Sequence, residues 1–487
     1  FVWDNFWYAG NFPLASYSLL YYLPAALIGN LPLVIAASLA STLLFALIAF
    51  REWGAPALWP TRIFGVLAAA PVFTGLYAYA LGFSTLLGTV KSVQAGRPRL
   101  AALLAAVTLG FSPLAFAFLC LVMLAVALGR ARPFSRRSAG IAAALALLTG
   151  GELVVRALFP SPGIYPFHAV DLAGVLLVSS LGALLARHAR GGAPFVAFFV
   201  LWGLGSLVAF FVATPLGGNW TRLGAVGFPL MLLTASLAGF RPRKLVLAAL
   251  AVALAYNAIP FVLLIPYRLD NRPAKAAFWQ PALRFLRVHS GPNFRVEVVP
   301  TAAHWESYWL PRAGFPLARG WYRQLDVVDN PILYDQRIDP VEYRTWLRSV
   351  AAKYVLVPAT RLDPVGGPNE ARLVASPQTG LRVAFRSKAW TIYRLPHAEP
   401  MLTGPGTARI LGFGHAVITG RVGAAGRYLL RTRFVPYSTF VGDGCVRPGP
   451  GKMTWLELRS AGTFTLTVAE TPTALIATAG SARSGAC

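Results

Sequence analysis

Acidic residues are what this 487-residue chain has least of: 18 Asp and Glu stand against 44 Lys and Arg, a formal net charge of +26. Through residue 266 the only carboxylates are Asp4, Glu52, Glu152 and Asp171. Charges are costly inside a bilayer and persist mainly where they face a cavity and do work, so those four are the first candidates for chemistry. The chain has three cysteines and no zinc-type Cys/His spacing. It also lacks a P-loop, a serine-hydrolase elbow and a GxGxxG dinucleotide fingerprint, which leaves ATP-driven transport, proteolysis and dehydrogenation without support. The chain opens at Phe1 with no methionine and no signal-like segment, so a further N-terminal piece is expected upstream.

What is present is apolar. Hydrophobic residues make up 56% and aromatics 13% of the chain, and its mean hydropathy is +0.57. That exceeds what a soluble core can bury, and the apolar runs approach the roughly 20 residues that a span needs. The positive charge would suggest nucleic acid in a soluble protein. Here the arginines stand in short loops between apolar runs, where they set topology, so no nucleic-acid partner is expected.

The runs divide into ten spans, at about 31 to 50, 63 to 80, 82 to 94, 100 to 111, 113 to 128, 139 to 157, 169 to 186, 194 to 212, 223 to 239 and 245 to 266. A break at Phe111-Ser112-Pro113 is needed, because a single helix over 100 to 128 would put the Lys91/Arg97/Arg99 and Arg130/Arg132/Arg136/Arg137 loops on opposite faces. Proline can end one helix and start another there. The basic clusters, Arg51, Arg62, Arg187, Arg190, Arg241, Arg243 and Lys244 among them, then share the cytoplasmic side. Residues 1 to 30, the loops 158 to 168 and 213 to 222, and everything after 267 fall outside. The domains expected are an outer loop with an interfacial helix (1–30), a transmembrane domain (31–266), an extracytoplasmic α/β domain (267–400) and a β-sandwich-like module (401–487).

The outer mouth thus collects Asp4, Glu152, Asp171, Arg156 and Arg222. Asp4 lies in Phe1-Val-Trp-Asp-Asn-Phe-Trp-Tyr, ahead of the aromatic stretch Leu14 to Pro24 that suits an interfacial helix. It reads either as a solvated aspartate in an aromatic belt or as a catalytic base taking a proton from an acceptor hydroxyl. Glu152 and Arg156, four apart, can pair on one helix face, either to fix packing or to serve a site. His168 and Asp171 open the next span, as helix-start groups or as ligands. Arg222 ends Gly217-Gly-Asn219-Trp-Thr-Arg222 and reads as a snorkelling arginine or as a phosphate ligand, because guanidinium matches phosphate oxygens bidentately.

After Arg268 the pattern becomes that of a soluble protein. Strands such as Arg295-Val-Glu-Val-Val and Tyr354-Val-Leu-Val-Pro alternate with helical stretches, and from about 401 strands are separated by Gly-rich turns. The segments His304-Trp-Glu306-Ser-Tyr-Trp and Arg319-Gly-Trp321-Tyr-Arg323-Gln-Leu-Asp326 combine aromatic faces with ionisable groups. They suit sugar binding, or else a loop packed for structure. Cys445 and Cys487 both fall in the outer module, where oxidation is permitted, and a disulfide between them is expected; Cys120 lies within a span.

An outer aspartate ahead of an interfacial helix, eleven spans if one precedes Phe1, short paired central helices and a large C-terminal outer domain resemble the GT-C superfamily of polyprenyl-phosphate-dependent glycosyltransferases. More narrowly, Trp7-Tyr-Ala-Gly-Asn-Phe-Pro-Leu to Tyr21-Tyr-Leu-Pro is similar to actinobacterial membrane proteins labelled 6-pyruvoyl-tetrahydropterin-synthase-related, close to arabinofuranosyltransferases. The resemblance implies a multi-pass protein of the bacterial plasma membrane and a sugar donor carried on polyprenyl phosphate. It also implies an envelope glycan or lipid acceptor, Asp4 as base and Arg222 as phosphate ligand. In the family the catalytic acid follows the first span, which this chain lacks, so the base can also lie upstream of Phe1. No Asp-x-Asp or Glu-x-Asp pair is visible, and a divalent metal is neither indicated nor excluded. The competing reading is a non-catalytic scaffold, or a transporter of lipid-linked envelope intermediates. A transporter needs polar groups through the midplane, and this sequence gathers them at one face.

Overall fold

The computed structural model describes residues 6, 18–129, 136–159, 163–335, 337–468 and 473. Asp4 and Cys487 lie outside the described residues. The chain forms two compact units, one of Pro13–Pro160 with Ile164–Leu263, the other of Phe1–Phe12 and Ser161–Gly163 with Leu264–Cys487.

The first unit is helical. In chain order it contains α1 (Tyr22–Ile28), α2 (Asn30–Trp53), α3 (Leu58–Leu67), α4 (Ala70–Thr74), α5 (Tyr77–Gln94), α6 (Pro98–Phe111), α7 (Pro113–Gly129) and α8 (Arg136–Leu158). It continues with α9 (Ala169–Ala186), α10 (Ala193–Phe211), α11 (Gly224–Leu237) and α12 (Arg243–Leu269), the last running on into the second unit. Among the described residues five helical stretches are long and apolar enough to cross a membrane: Asn30–Trp53, Ala55–Thr74, Ser138–Leu158, Ala169–Ala186 and Ala193–Phe211. A helix satisfies its own backbone, which is why apolar runs adopt it where water is absent. The few hydroxyls follow the same rule: Thr42, Thr89, Ser92 and Ser206 each donate to the carbonyl four residues earlier.

Two expectations shift. The runs at 63 to 80 and 82 to 94 are cut differently, because Pro71 opens α4 and Gly75, left-handed at φ 75°, closes it; α5 then runs unbroken from Tyr77. The helix expected within Leu14 to Pro24 is α1, which starts at Tyr22 and passes through Pro24. Ahead of it, the Leu19 and Leu20 amides both donate to Gly110 O at 2.9 Å. A side chain at Gly110 would collide with Leu20, its Cβ 2.5 Å from Leu20 Cδ1.

The turn at Ser112 separates α6 from α7. Its backbone is extended (φ −158°, ψ 109°) and its N–H donates to Thr108 O at 2.8 Å, closing α6. Its Oγ accepts the Ala115 N–H at 3.2 Å, capping α7. Gly82 of α5 allows this turn to come close, since a Cβ there would lie 2.7 Å from Ser112 Cβ.

Contacts tie the helix ends into two groups. At one end Trp53 packs at a tilt against Phe195 (5.4 Å), Gln94 reaches Glu52 (3.5 Å), and Gly129 admits Pro194. The turns carrying Arg97 and Arg187 join the same helix ends. At the other end lie the Ser112 turn, Tyr79, Trp220 and Arg222, with Phe118 edge-on to Trp220 at 5.4 Å.

The second unit opens with α13 (Ala276–His289) and a sheet of β1 (Arg295–Val298), β2 (Ala352–Pro358), β3 (Arg382–Arg386) and β4 (Trp390–Arg394). The order is β1-β2-β4-β3, with β1 parallel to β2 and the other pairs antiparallel. Side chains alternate across it: Tyr354 and Leu356 pack with Trp279, Leu283 and Trp390, while Val355 packs with Tyr343 and Leu347. The intervening helices are α14 (Glu306–Arg312), α15 (Arg323–Asp329), α16 (Pro340–Ser349) and α17 (Gly367–Ala375). Beyond them β5 (Leu402–Thr403), β8 (Gly426–Arg433), β10 (Gly444–Pro448) and β11 (Met453–Leu458) make one antiparallel sheet in the order β10-β11-β8-β5. A second, β6-β7-β12-β9, contains β6 (Ala408–Phe413), β7 (Val417–Val422), β12 (Gly462–Thr467) and β9 (Thr439–Val441). Alternate residues are buried, Tyr428 and Leu430 on β8 and Phe464 and Leu466 on β12, as in sheets with one wet face. Cys445, on β10, is disulfide-bonded, and Cys120 is free.

Removing the Ser112 hydroxyl by Ser112→Ala should lower stability by about 1 kcal/mol through loss of the α7 cap. Thermal unfolding in detergent checks this, and an unchanged midpoint would show the cap to be idle.

Candidate functional site

In the helical unit, the loop after α10 tightens into a 3₁₀ turn over Gly217–Leu223. Its two glycines let it lie on the loop that precedes α9: a Cβ at Gly217 (φ 32°) would sit 1.9 Å from Tyr165 O, and one at Gly218 2.6 Å from Pro166 O. The Tyr165 amide donates to Thr214 O at 3.1 Å, so the two loops are joined through backbone. From below, the Trp202 indole donates to Trp220 O (3.1 Å) and the Tyr256 hydroxyl to Thr221 O (3.3 Å). The turn is thus held on three sides.

This leaves two side chains with unused capacity. Asn219 is 5% exposed, and its amide donates to Pro215 O at 3.2 Å, yet its Oδ1 accepts nothing among the described residues. A buried amide oxygen without a donor is costly and calls for a partner. Arg222 is half-buried with its guanidinium 5.7 Å above the Tyr79 ring, and makes no ion pair among the described residues. A cation over an aromatic face keeps its N–H groups free in the plane of the guanidinium.

The other residues singled out on this unit are less closely gathered. Glu152 and Arg156 pair with each other at 2.7 Å on α8, and no hydrogen bond or ion pair links them to the Arg222 turn among the described residues. His168 stands at the start of α9, where its carbonyl accepts from Asp171 and Leu172 N–H, but its side chain does not cap the helix. Asp171 is exposed in the first turn, three residues before Gly174, which packs on Tyr256.

The second polar cluster belongs to the α/β domain. Arg319, 11% exposed, bonds three carboxylates: Glu297 at 2.9 Å, Asp326 at 3.1 Å and Glu370 at 2.7 Å, none more than 4% exposed. Tyr334 and Asn330 also donate to Asp326, and Tyr343 to Glu370. Alongside, His304 Nδ1 lies 3.0 Å from Glu306 Oε1 and its Nε2 3.8 Å from Asp363, which Arg323 holds at 2.6 Å. The second Glu306 oxygen takes the Thr301 amide and hydroxyl. Burial works against the imidazolium, but the bond and charge of Glu306, with Asp363, outweigh it and raise the His304 pKa. His304 also holds a left-handed backbone, φ 53°, a region that residues other than glycine enter uncommonly.

Of the four residues expected here, the structure therefore brings His304, Glu306 and Arg323 into one network, and Trp321 lines the same cavity. That cavity measures about 20 Å³, room for about one water. Arg319 and Asp326 bound the segment marked in the sequence, whereas Glu297, Asp363 and Glu370 were not singled out there. A usable signal existed for Glu297, a carboxylate flanked by valines in a strand whose four residues are all buried. Among the described residues no group of three or more His, Cys, Asp or Glu is placed to hold a metal ion.

No protein-family model and no curated protein matches this chain. Among solved structures it is similar to the crystal structure of ArnT from Cupriavidus metallidurans in the apo state, at 11% identity over 80% of this chain and 89% of that chain, with a TM-score of 0.37. A likeness of that size carries no argument about fold or chemistry.

Three carboxylates about one guanidinium leave two negative charges over. Burial pushes the Glu297 carboxyl well above its ordinary range; Arg319 pulls it down, and the Glu370 and Asp326 charges add to the rise. Burial likewise raises Glu370. A folded pKa above the unfolded one means the stability is fully present below the ordinary carboxylate range and is lost as pH rises through the folded value. Glu297→Gln removes that loss, so the variant should gain on the wild type by up to about 1.4 kcal/mol per pH unit between pH ~4.3 and the raised folded value, and gain nothing further above it. Amide exchange at Val296 and Val298 in the full chain measures it; parallel pH profiles would sink the assignment.

Proposed function

We propose that the chain is a membrane glycosyltransferase that moves a sugar from a polyprenyl-phosphate donor to a cell-envelope glycan or lipid at the outer face of the bacterial plasma membrane. The observation that carries this reading is Arg222, a cation at the end of an apolar helical unit with no carboxylate partner among the described residues. A lipid phosphate at that depth supplies the oxygens a guanidinium lacks there. Asn219, five per cent exposed with Oδ1 unpaired, adds an acceptor for a sugar hydroxyl beside it.

In this reading the sugar C1–O bond to phosphate breaks as C1 bonds the acceptor oxygen, and the acceptor proton passes to a carboxylate base. Asp4 is our candidate for that base, and it lies outside the described residues. Arg222 stabilises the charge that builds on the departing polyprenyl phosphate. Glu152, Arg156, His168 and Asp171 supply polar groups at the same rim. Trp321 is our candidate for glycan recognition by the α/β domain itself, with His304, Glu306 and Arg323 holding that segment rigid; their cavity is too small for a sugar ring. In this reading the C-terminal modules lie outside the cell, where the proposed Cys445–Cys487 disulfide would be stable.

Native mass spectrometry of gently extracted protein tests the donor site. The wild type should carry a polyprenyl phosphate or its sugar adduct, and Arg222→Ala should bind it roughly 10- to 100-fold more weakly through loss of a charge-assisted bond. Bulk phospholipid alone in both samples would remove the basis for a transferase.

A further inference from the structure

At the end of the helical unit away from Arg222, two turns distant in sequence form one shallow basic concavity. His188, just after α9, faces Ala238, Arg241, Pro242 and Arg243, between α11 and α12, around an open volume of about 680 Å³. Arg241 and Arg243 are exposed, and neither they nor His188 forms an ion pair among the described residues. Four apolar helices stop here: α9 and α11 end, and α10 and α12 begin, so the concavity lies where the apolar surface gives way to polar. Lys244 adds a further positive charge in the first turn of α12, which has no acidic residue. A helix start bare of carboxylates is itself favourable to an anion.

We propose that this concavity binds the phosphate headgroup of an anionic phospholipid, the apolar helices beside it carrying the acyl chains. Charge complementarity and position both favour a lipid over a free anion: the arginines stand where apolar helices end, so an acyl chain has apolar helix to lie against. Exposed arginines that only set topology would be spread along the loops. Here two of them converge with a histidine from another turn. The site is separate from the Arg222 turn and does not depend on the transferase reading.

The test uses the full chain in nanodiscs of phosphatidylcholine, alone or mixed with phosphatidylglycerol, read by the unfolding midpoint and by phosphatidylglycerol retained in native mass spectrometry. Phosphatidylglycerol should raise the midpoint of the wild type. Arg241→Gln/Arg243→Gln should abolish the rise and weaken retention roughly thirtyfold, while Arg97→Gln/Arg99→Gln, which removes equal charge from the same end, should keep both. If the double variant is not recovered from membranes, Arg243→Gln alone carries the test, with a loss of about fivefold. An equal loss in Arg97→Gln/Arg99→Gln would mean a diffuse surface field and overturn the site. So would a wild type indifferent to phosphatidylglycerol, or inorganic phosphate in phosphatidylcholine discs reproducing the whole effect.

Discussion

A hydrocarbon layer offers no partner to a polar group, and almost every feature of the helical unit follows from that. Backbone groups must be satisfied within their own segment, so apolar runs become helices. Hydroxyls bond back along their helix, or across it where Thr108 donates to the Thr85 hydroxyl at 2.9 Å. What cannot be satisfied internally is moved to an end. The Ser112 turn shows the cost of interrupting a helix: it needs a hydroxyl to cap α7, a carbonyl to close α6, and a glycine opposite to make room. Prolines begin new helices at Pro98, Pro113 and Pro194, where a missing N–H would have been unsatisfied anyway.

The α/β domain solves the opposite problem, since there the charges are inside. Arg319 lies within hydrogen-bond reach of residues from β1, α15 and α17, so one guanidinium ties three elements together. Such a hub contributes little net stability, because desolvating four charged groups offsets most of their attraction. Its effect is on specificity: a shift of β1 by one residue would take Glu297 away from Arg319 and leave a buried charge unpaired. The second carboxylate set, around His304 and Arg323, fastens the segment before α14 to Asp363 in the same manner.

Periodicity made the helical unit legible in the sequence, because apolar runs and charged turns are local signals. The 169 to 186 span is the observed α9, and the break at Phe111-Ser112-Pro113 separates α6 from α7. The 63 to 80 region was less legible, since Pro71 and Gly75 act as breakers inside a run that is apolar throughout. In the α/β domain the aromatic and ionisable richness of 304 to 326 marked a polar cluster, but not its membership. Asp363 and Glu370 come from a loop and a helix some 40 and 51 residues beyond their arginine partners, and pairing over that distance leaves no trace in local pattern. Asn219 was visible in its Gly-Gly-Asn context, whereas the unpaired Oδ1 that makes it informative is a property of packing.

The two polar clusters differ in what they leave over. Around Arg319 and His304 each carboxylate lies against a cationic partner, and the crowding of carboxylates with their burial raises the Glu297 pKa. One acceptor of that network, Glu297 Oε2, is left without a hydrogen-bond partner among the described residues, and the cavity it lines has room for about one water. At the Gly217–Leu223 turn the balance is reversed: the backbone is pinned by Tyr165, Trp202 and Tyr256, while the Arg222 guanidinium and the Asn219 oxygen are not. A rigid frame around unsatisfied groups is the arrangement in which a ligand loses little entropy on binding and gains bonds the protein does not make for itself. On that ground the small loop with one arginine, rather than the larger and more charged cluster, is where chemistry at this membrane surface is expected.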